Sequence, residues 1–266
     1  MQYIGALIGD YCGSKYEWSN FQGELTDKMD LLESGKFTDD SVLTVAIMEW
    51  LCNGGPDGVI TVGEYLKKWA KTYPKAGYGG KFRGWVASDS YEPINSFGNG
   101  AGMRVSPCAY YANTLEECLE LAKASAEVTH DHPEGIKGAQ AIAEAIYLAR
   151  SGAGKDDIKR IIEEDFGYDL NKPLEEIGRR AHRFDATCQV TVPEAIICFL
   201  NSQNFLDAIR VAIWIGGDSD TIAAMAGSIA EAYYGIPAFI EEKIKERLPS
   251  DMKEVVSWFN ETMLRR

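Results

Sequence analysis

Two clusters of acidic and hydroxyl side chains carry the oxygen atoms that hard metal cations bind. The first is Thr38-Asp39-Asp40, which precedes an apolar, helix-like run over residues 41–52. The second is Asp218-Ser219-Asp220-Thr221, which opens an Ala/Gly-rich run that ends at Tyr234. Mg²⁺ and Ca²⁺ prefer carboxylate and hydroxyl oxygens, and a paired site needs several of them. We therefore predict that the two helix starts meet around divalent cations.

The same side chains also have a plain structural use, because Asp, Ser and Thr are the ordinary N-cap residues of helices. A cap needs only one side chain, however, and each cluster supplies three polar groups. Like charges placed side by side are costly unless a cation neutralises them. Taken together, the two clusters favour a metal site over two helix caps.

The composition indicates a globular chain and argues against several classes of protein. The 266 residues carry a net charge of −13, and 45% of them are hydrophobic. General nucleic-acid binding is not expected, because phosphate backbones are held by an excess of Lys and Arg. The six cysteines form no C-x-x-C pair, which favours reduced thiols in a cytoplasmic protein. The chain shows no signal-peptide pattern and no run long enough to span a membrane, so we expect no membrane association.

Helical periodicity dominates the chain, and the predicted fold class is all-α. No linker, repeat or charge block divides it, so we predict one compact domain over residues 1–266. Helices are expected at residues 2–13, 41–52, 62–73, 114–128, 133–151, 155–164, 173–182, 192–201, 204–214, 219–234, 237–247 and 251–264. Residues 75–97 are predicted to be a long ordered loop, and residues 189–192 are the best strand candidate.

Small residues and helix ends predict how some of these helices pack. Gly5, Gly9 and Gly13 recur every four residues along one face of the first helix, which would let another helix backbone come close. The helix over 219–234 is apolar on nearly all faces, so we expect it at the centre of the fold. Asp131 is predicted to cap the helix that begins near Pro133.

Five motifs in a fixed order resemble the ADP-ribosylglycohydrolase family. They are Gly5-Ala6-Leu7-Ile8-Gly9-Asp10 with Gly13 and Glu17, Phe37-Thr38-Asp39-Asp40-Ser41, Gly98-Asn99-Gly100-Ala101-Gly102-Met103-Arg104, Thr129-His130, and Gly217-Asp218-Ser219-Asp220-Thr221. The resemblance implies a single orthogonal bundle of helices with two Mg²⁺ ions, or Mn²⁺, at its centre. It also implies a hydrolase that removes ADP-ribose from a modified acceptor.

The resemblance assigns roles to the acidic residues. The implied metal ligands are Thr38, Asp39, Asp40, Asp218, Asp220 and Thr221, and Asp40 and Asp218 also count as catalytic. Glu17 is the expected general acid or base, with an exposed surface glutamate as the alternative. Some relatives place a catalytic Asp three residues before the Asn of the Gly-Asn-Gly motif, where this chain has Ser96. Asp10 is the rival carboxylate, for which we favour a role in stabilising loops around the site.

The segment from Ser96 to Gly100 resembles the family's ADP-ribose cradle. Glycines let backbone N–H groups approach phosphate oxygens, and an aromatic side chain can stack on adenine. The implied substrate-binding residues are Ser96, Phe97, Gly98, Asn99, Gly100 and His130. Phe97, with Tyr91, is expected near adenine, although a core position for Phe97 is an equal alternative. His130 is expected near the distal ribose or a phosphate.

Two further features leave alternatives open. Arg104 is expected to have a structural role as the partner of a buried carboxylate, with pairing to a phosphate as the alternative. Four aromatic side chains either roof the acceptor side of the pocket or anchor loops: Trp18, Tyr78, Phe82 and Trp85. The sequence does not decide between these uses.

The leading functional hypothesis is a Mg²⁺-dependent, monomeric hydrolase whose substrate is the ADP-ribose moiety on arginine of a protein. The arginine linkage is carried by analogy with the family alone. Serine-linked ADP-ribose or another conjugate is the next hypothesis. The remaining alternatives are a non-catalytic ADP-ribose-binding or structural member of the family, and a different Mg²⁺-dependent hydrolase such as a nucleotide phosphoesterase.

Overall fold

The structure is a computed structural model that describes residues 3–25, 29–32, 34–180 and 184–266. Within these ranges the chain forms fifteen α-helices, one short 3₁₀ helix over Gly55–Asp57 and no strand, which confirms the all-α prediction. The helices are α1 (Gly5–Gly13), α2 (Asp39–Cys52), α3 (Val62–Thr72), α4 (Gly80–Ala87), α5 (Gly100–Met103), α6 (Ser106–Tyr111), α7 (Leu115–Glu127), α8 (Pro133–Arg150), α9 (Lys155–Phe166), α10 (Leu174–Arg180), α11 (Cys188–Leu200), α12 (Phe205–Ile215), α13 (Ser219–Tyr234), α14 (Ala238–Arg247) and α15 (Ser250–Arg265).

Helix α13 is the centre of the bundle, as its sequence predicts. Its residues from Ser219 to Ala232 are all buried. It packs against α1, α8, α11 and α12, so neighbours cover it on several sides. Because α13 is enclosed, the polar residues at its first turn are held inside the protein.

The glycine ridge of α1 packs directly on the backbone of α13. A Cβ atom built on Gly5 would lie 2.5 Å from the carbonyl oxygen of Gly227, and one built on Gly9 would collide with the carbonyl of Ala223. No side chain larger than hydrogen fits at either position. The predicted close approach of a second helix is confirmed, and it brings Asp10 of α1 beside the first turn of α13.

Helix α2 begins at the first acidic cluster and positions this cluster beside Asp10 and the first turn of α13. Thr38 is the N-cap, and its hydroxyl accepts a hydrogen bond from the Asp40 backbone N–H at 3.4 Å. The helix packs on α1, α3 and α15. The capping interpretation of Thr38 is therefore correct, and the two acids that follow remain available for other contacts.

Several predictions about secondary structure are wrong, and tertiary packing explains them. Residues 189–192 lie in α11, whose face is buried against α8, α12 and α13, so packing overrides the β-branched composition. Residues 75–97 include α4, in which Phe82 and Trp85, three residues apart, turn their rings into the core. Helices α5 and α6 are short and Gly-rich or Pro-started, which hides their periodicity.

The start of α8 is capped by a different residue from the one predicted. The N-cap is His132, whose Nδ1 accepts a hydrogen bond from the Glu134 backbone N–H at 3.1 Å. The Asp131 carboxylate instead accepts from the Asn95 backbone N–H at 2.8 Å. Asp131 thus ties the preceding loop to the helix start. The last two residues of the helix predicted at 173–182 lie outside the described residues.

None of the helices in the described ranges combines the length and the hydropathy that a membrane-spanning segment requires.

Candidate active site

A cavity of about 530 Å³ lies where the starts of α2 and α13 meet the segment that leads into α5. Both acidic clusters contribute to its wall, together with Glu17 and His130. The cradle residues in the wall are Ser96, Gly98, Asn99 and Gly100. The structure thus gathers residues that are up to about 200 positions apart in the sequence into one concave site, which is the usual form of a small-molecule site.

Four carboxylates that line the cavity, together with Asp10 next to them, form what we call the acidic end: Glu17, Asp40, Asp218, Asp220 and Asp10. Oxygen atoms of Asp10, Asp40 and Asp220 all lie within 4.8 Å of one another. Oxygen atoms of Glu17, Asp218 and Asp220 satisfy the same limit. Because Asp220 belongs to both groups, the two groups define neighbouring positions that share one carboxylate. This arrangement can hold two divalent cations side by side.

The contacts of Asp40 fit a cation at this end. Its Oδ2 accepts a hydrogen bond from the Thr221 hydroxyl at 3.3 Å. The same Oδ2 lies 3.1 Å from the Thr38 hydroxyl oxygen, whose single proton has a closer acceptor in Asp10, at 2.7 Å. The Oδ1 of Asp40 is buried and has no hydrogen-bond partner among the described residues. A buried oxygen without a partner is costly, and a bound cation would remove that cost. An all-oxygen donor set suits Mg²⁺ or Mn²⁺ better than zinc.

Burial and mutual repulsion raise the pKa values at the acidic end. Burial is the first cause of the strongly raised pKa values of Asp40 and Asp220, and neighbouring carboxylates add to both. Asp39 is half-buried in the cavity wall, and burial, followed by the charge of Asp10, raises its pKa to about 8. A bound divalent cation would reverse this repulsion by stabilising the charged carboxylates.

Asp10 holds the start of α2 in place. Its carboxylate accepts from the Thr38 backbone N–H at 2.8 Å, the Thr38 hydroxyl at 2.7 Å and the Ser41 backbone N–H at 3.1 Å. The Ser41 hydroxyl donates to it as well. The predicted loop-stabilising role is therefore present in the structure. Asp10 also lies in the first carboxylate group, which the sequence did not predict.

Glu17 is half-buried in the segment after α1 and faces Asp218 and Asp220. Burial, followed by the charge of Asp218, raises its pKa. The Asn99 side-chain amide donates to Asp218 Oδ2 at 2.6 Å, which connects the cradle to the acidic end. Glu17 is thus not an exposed surface glutamate, and its position suits either a metal ligand or a group that moves a proton.

The cradle is held by the loop that leads into α11. The Asn99 backbone N–H donates to the Ala186 carbonyl at 2.8 Å, and the Cys188 N–H donates to the Phe97 carbonyl at 3.0 Å. The Phe97 side chain is 41% exposed and packs on His132, so the core alternative for Phe97 is wrong. Within the described residues, the cavity lining includes neither Phe97 nor Tyr91.

Arg104, Thr129 and His130 form what we call the Arg104 end of the cavity. Arg104 is fully buried, and its Nη2 donates to the Ser125 carbonyl at 2.9 Å and to the Thr129 hydroxyl at 3.0 Å. Thr129 Oγ1 lies 2.8 Å from His130 Nδ1. Burial, followed by the charge of Arg104, holds the pKa of His130 well below its usual value. The partners of Arg104 are thus a carbonyl and a hydroxyl, and not the carboxylate that a structural role led us to expect.

Three of the four aromatic side chains line the cavity, and the fourth anchors a loop. Trp18 is 74% exposed and stacks on Phe184, with ring centroids 4.7 Å apart, at the wall of the cavity. Tyr78 and Phe82 are buried and line the wall from another side. Trp85 anchors a loop, since its ring N–H donates to the Glu92 carbonyl at 3.1 Å.

Comparison with known proteins agrees with this geometry. The sequence model of the ADP-ribosylglycohydrolase family matches residues 3–265. The chain belongs to the ADP-ribosylglycohydrolase family. A solved structure titled ADP-ribosylglycohydrolase-related protein complex superposes with a TM-score of 0.72 at 23% identity, over 97% of this chain and 95% of that one. The predicted all-α fold class and the predicted family are confirmed.

Relatives with a described activity are distant in sequence but similar over most of their length. Mouse (Mus musculus) ADP-ribosylhydrolase ARH3 is 25% identical, over 97% of this chain and 87% of its own. The ADP-ribosylarginine hydrolase Tri1 of Pseudomonas putida (strain GB-1) is 25% identical, over 96% and 73%. The ADP-ribosyl-[dinitrogen reductase] glycohydrolase of Rhodospirillum rubrum is 24% identical, over 88% and 84%. The prediction that the chain is a hydrolase of ADP-ribosyl linkages is confirmed at the level of the family.

Proposed function

We propose that this protein is a Mg²⁺-dependent hydrolase that removes ADP-ribose from modified arginine side chains. One observation carries the proposal: two carboxylate groups that share Asp220 lie in the same cavity as the cradle residues. The acidic end can hold cations beside a ribose, and the cradle offers backbone groups to a diphosphate.

The proposed cations would be held by Asp40, Asp218 and Asp220, with the Thr38 and Thr221 hydroxyls and Asp39 beside them. When bound, a pair of Mg²⁺ ions orients sugar hydroxyls and lowers the pKa of a water molecule. Mn²⁺ has the same ligand preference and is expected to substitute for Mg²⁺. This assignment is supported by the all-oxygen character of the site and by Asp40 Oδ1, which has no hydrogen-bond partner in the described ranges.

In the proposed reaction the chain positions the sugar and moves protons. The bond between the anomeric carbon and the guanidine nitrogen breaks, and a bond to a water oxygen forms. Glu17 accepts the proton of the attacking water and passes it to the departing nitrogen, which regenerates both the Glu17 carboxylate and the arginine side chain. Asn99 holds Asp218 through its 2.6 Å hydrogen bond, and Asp10 holds the start of α2. These contacts fix the geometry that the reaction requires.

The choice of arginine as the acceptor has two supports. One similar protein is named for ADP-ribosylarginine. In addition, the exposed Trp18–Phe184 stack lies in the cavity wall next to Glu17. Guanidinium cations pack favourably on aromatic faces, whereas a serine side chain has no cation to offer.

The test uses an arginine-ADP-ribosylated protein and a serine-ADP-ribosylated protein, each with Mg²⁺ or with EDTA, and follows free ADP-ribose by mass spectrometry. We expect Mg²⁺-dependent release from the arginine conjugate. Glu17→Gln should lower turnover by about 10²-fold or more while ADP-ribose still binds. Glu24→Gln is the matched control, because Glu24 is exposed in the same segment and does not line the cavity.

Three outcomes would contradict parts of this proposal. Release only from the serine conjugate would disprove the arginine assignment. Equal release in EDTA would disprove the metal requirement. Formation of AMP in place of intact ADP-ribose would indicate a phosphoesterase.

A further inference from the structure

Arg104 is a buried cation with incomplete partners. It is fully buried, and in the described part of the chain its Nε and Nη1 have no hydrogen-bond partner. Its two hydrogen bonds, to the Ser125 carbonyl and the Thr129 hydroxyl, both come from Nη2. A guanidinium group only donates hydrogen bonds. The Thr129 oxygen is therefore an acceptor in its contact with Arg104.

The remaining contact of Thr129 determines which nitrogen of His130 carries the proton. Thr129 is fully buried, so its hydroxyl proton needs an acceptor inside the protein. In the part of the chain that the structure describes, the available acceptor is His130 Nδ1, at 2.8 Å. If Nδ1 carried the proton, the hydroxyl proton would be buried without a partner, which is costly. Nδ1 is then the acceptor, and the ring proton is on Nε2.

Nε2 of His130 lies at the surface of the cradle. It is 3.1 Å from the position that a Cβ would take on Gly100 and 3.8 Å from the corresponding position on Gly98. His130, Gly98 and Gly100 all line the cavity. The absence of side chains on the two glycines leaves the space in front of Nε2 free for a ligand atom.

We infer that Thr129, held by Arg104, fixes His130 as a neutral ring that donates a hydrogen bond from Nε2 into the cavity. Thr129 and Arg104 are positioning residues, since they act through His130. The group that this donor selects is an oxygen that accepts hydrogen bonds, as the phosphate and ribose oxygens of ADP-ribose do. The identity of the ligand rests on the proposed function, but the position of the proton does not.

Thr129→Ser and Thr129→Val separate the positioning role of the hydroxyl from its contribution to packing. Valine has nearly the same shape as threonine but no hydroxyl. Thr129→Val therefore removes the hydrogen bonds that connect Arg104 to His130 Nδ1. The His130 ring is then free to place its proton on either nitrogen. Thr129→Ser keeps the hydroxyl and should restore the wild-type arrangement, although it removes a methyl group.

The position of the proton can be measured by long-range ¹H–¹⁵N NMR of the imidazole rings at mildly alkaline pH. The chain has three histidines, so the signals can be assigned with His130→Gln. We expect the unprotonated type of nitrogen at Nδ1 of His130 in the wild type and in Thr129→Ser, and a mixture in Thr129→Val. His132 is an internal reference, because a backbone N–H donates to its Nδ1 at 3.1 Å, independently of Thr129.

The consequence for binding is measured with free ADP-ribose by calorimetry, in the presence of Mg²⁺. Thr129→Val should weaken binding in inverse proportion to the fraction of His130 rings that keep the proton on Nε2, which is about twofold for an even mixture. Thr129→Ser should bind with the affinity of the wild type, because it keeps the hydroxyl. A proton on Nδ1 in the wild type would overturn the inference, and so would a Thr129→Val variant with unchanged proton position and affinity.

Failure of this inference and failure of the proposed function give different results. If the protein hydrolyses no ADP-ribosyl conjugate, the proposed function fails, while the NMR measurement on the ligand-free protein still tests His130. If hydrolysis occurs but His130 carries its proton on Nδ1, the proposed function stands and the positioning role of Thr129 is disproved.

Discussion

The acidic end and the Arg104 end of the cavity lack opposite kinds of hydrogen-bond partner. Among the residues that the structure describes, the buried Asp40 Oδ1 at the acidic end is an acceptor without a donor. Within the same residues, the buried Nε and Nη1 of Arg104 at the other end are donors without an acceptor. Both are costly in a folded protein unless a ligand or ion supplies the missing contact or compensates the charge.

This difference indicates what kind of molecule the cavity suits. The acidic end suits cations, which would in turn bind sugar hydroxyls or water. The Arg104 end offers a hydrogen-bond donor and a positive charge to oxygen atoms. A ligand with a ribose at one end and a diphosphate further along meets both requirements at once. The polar atoms without partners at the two ends of the cavity therefore support ADP-ribose as the ligand, independently of the cradle residues.

The strongest way to break the comparison is to remove the carboxylate that both groups share. Asp220→Asn should abolish the binding of a second Mg²⁺ and lower turnover by about 10³-fold, because several kcal/mol of charge stabilisation are lost. Calorimetric titration with Mg²⁺ and the ADP-ribose release assay measure the two effects. Asp57→Asn, an exposed residue of the 3₁₀ helix, is the control. Full activity in Asp220→Asn would show that the acidic end is not a metal site.

The pH dependence of stability sharpens the comparison. Burial raises the pKa of Asp10 from 3.8 to about 6, so the folded state binds a proton more tightly than the unfolded chain. The stabilisation of the folded state by this tighter proton binding is fully present below the pKa of Asp10 in the unfolded chain. It is lost as the pH rises through the pKa of Asp10 in the folded protein. In EDTA we expect thermal unfolding to show a loss of about 3 kcal/mol over this range, and Asp39, with a pKa of about 8, extends the loss to higher pH.

Glu231 provides the internal control for that experiment. Burial raises its pKa from 4.5 to about 7, and its Oε2 accepts from the Gly5 backbone N–H at 2.7 Å, away from the cavity. Its part of the pH dependence should disappear in Glu231→Gln and should not respond to Mg²⁺. The part from the acidic end should become flat in Mg²⁺. A pH dependence that Mg²⁺ leaves unchanged would argue against cation binding among these carboxylates.

The smallest expected effect concerns Trp18, an exposed residue in the wall of the cavity. Trp18→Ala should raise KM for an arginine-ADP-ribosylated peptide by about three- to tenfold, because one cation–π contact is lost. It should leave the affinity for free ADP-ribose unchanged, since neither end of the cavity is altered. Trp258→Ala, a partly exposed tryptophan on α15, is the matched control. Equal weakening for free ADP-ribose would show that Trp18 contacts the ADP-ribose moiety.

The acidic end could be predicted from the sequence because its signals are local. Each acidic cluster lies at the start of a helix. The glycine spacing of α1 indicates which face of that helix makes the close contact. The fully buried Asp10 was harder to interpret, because its carboxylate faces hydrogen-bond donors that lie about 30 residues further along the chain. Its presence in a carboxylate group depends on how α1 meets α2, which no local pattern encodes.

The contacts of the Arg104 end and the stack of Trp18 on Phe184 could not be predicted from the sequence in detail. Phe184 has no motif around it, and its stack on Trp18 joins two loops that are far apart in the sequence. The contact of Thr129 with Arg104 depends on α5 lying against α7. Helix α4 was missed because its Gly-rich composition resembles a loop, although its aromatic side chains stabilise it through burial.

The backbone contact between α1 and α13 has a consequence for how the site responds to heat. Since no side chain separates these helices at Gly5 and Gly9, their distance is fixed by the shortest separation that two backbones allow. Rotamer changes elsewhere in the core cannot alter the spacing between Asp10 and Asp220. The geometry of the acidic end should therefore persist up to the melting temperature and be lost in a single step, together with the whole fold.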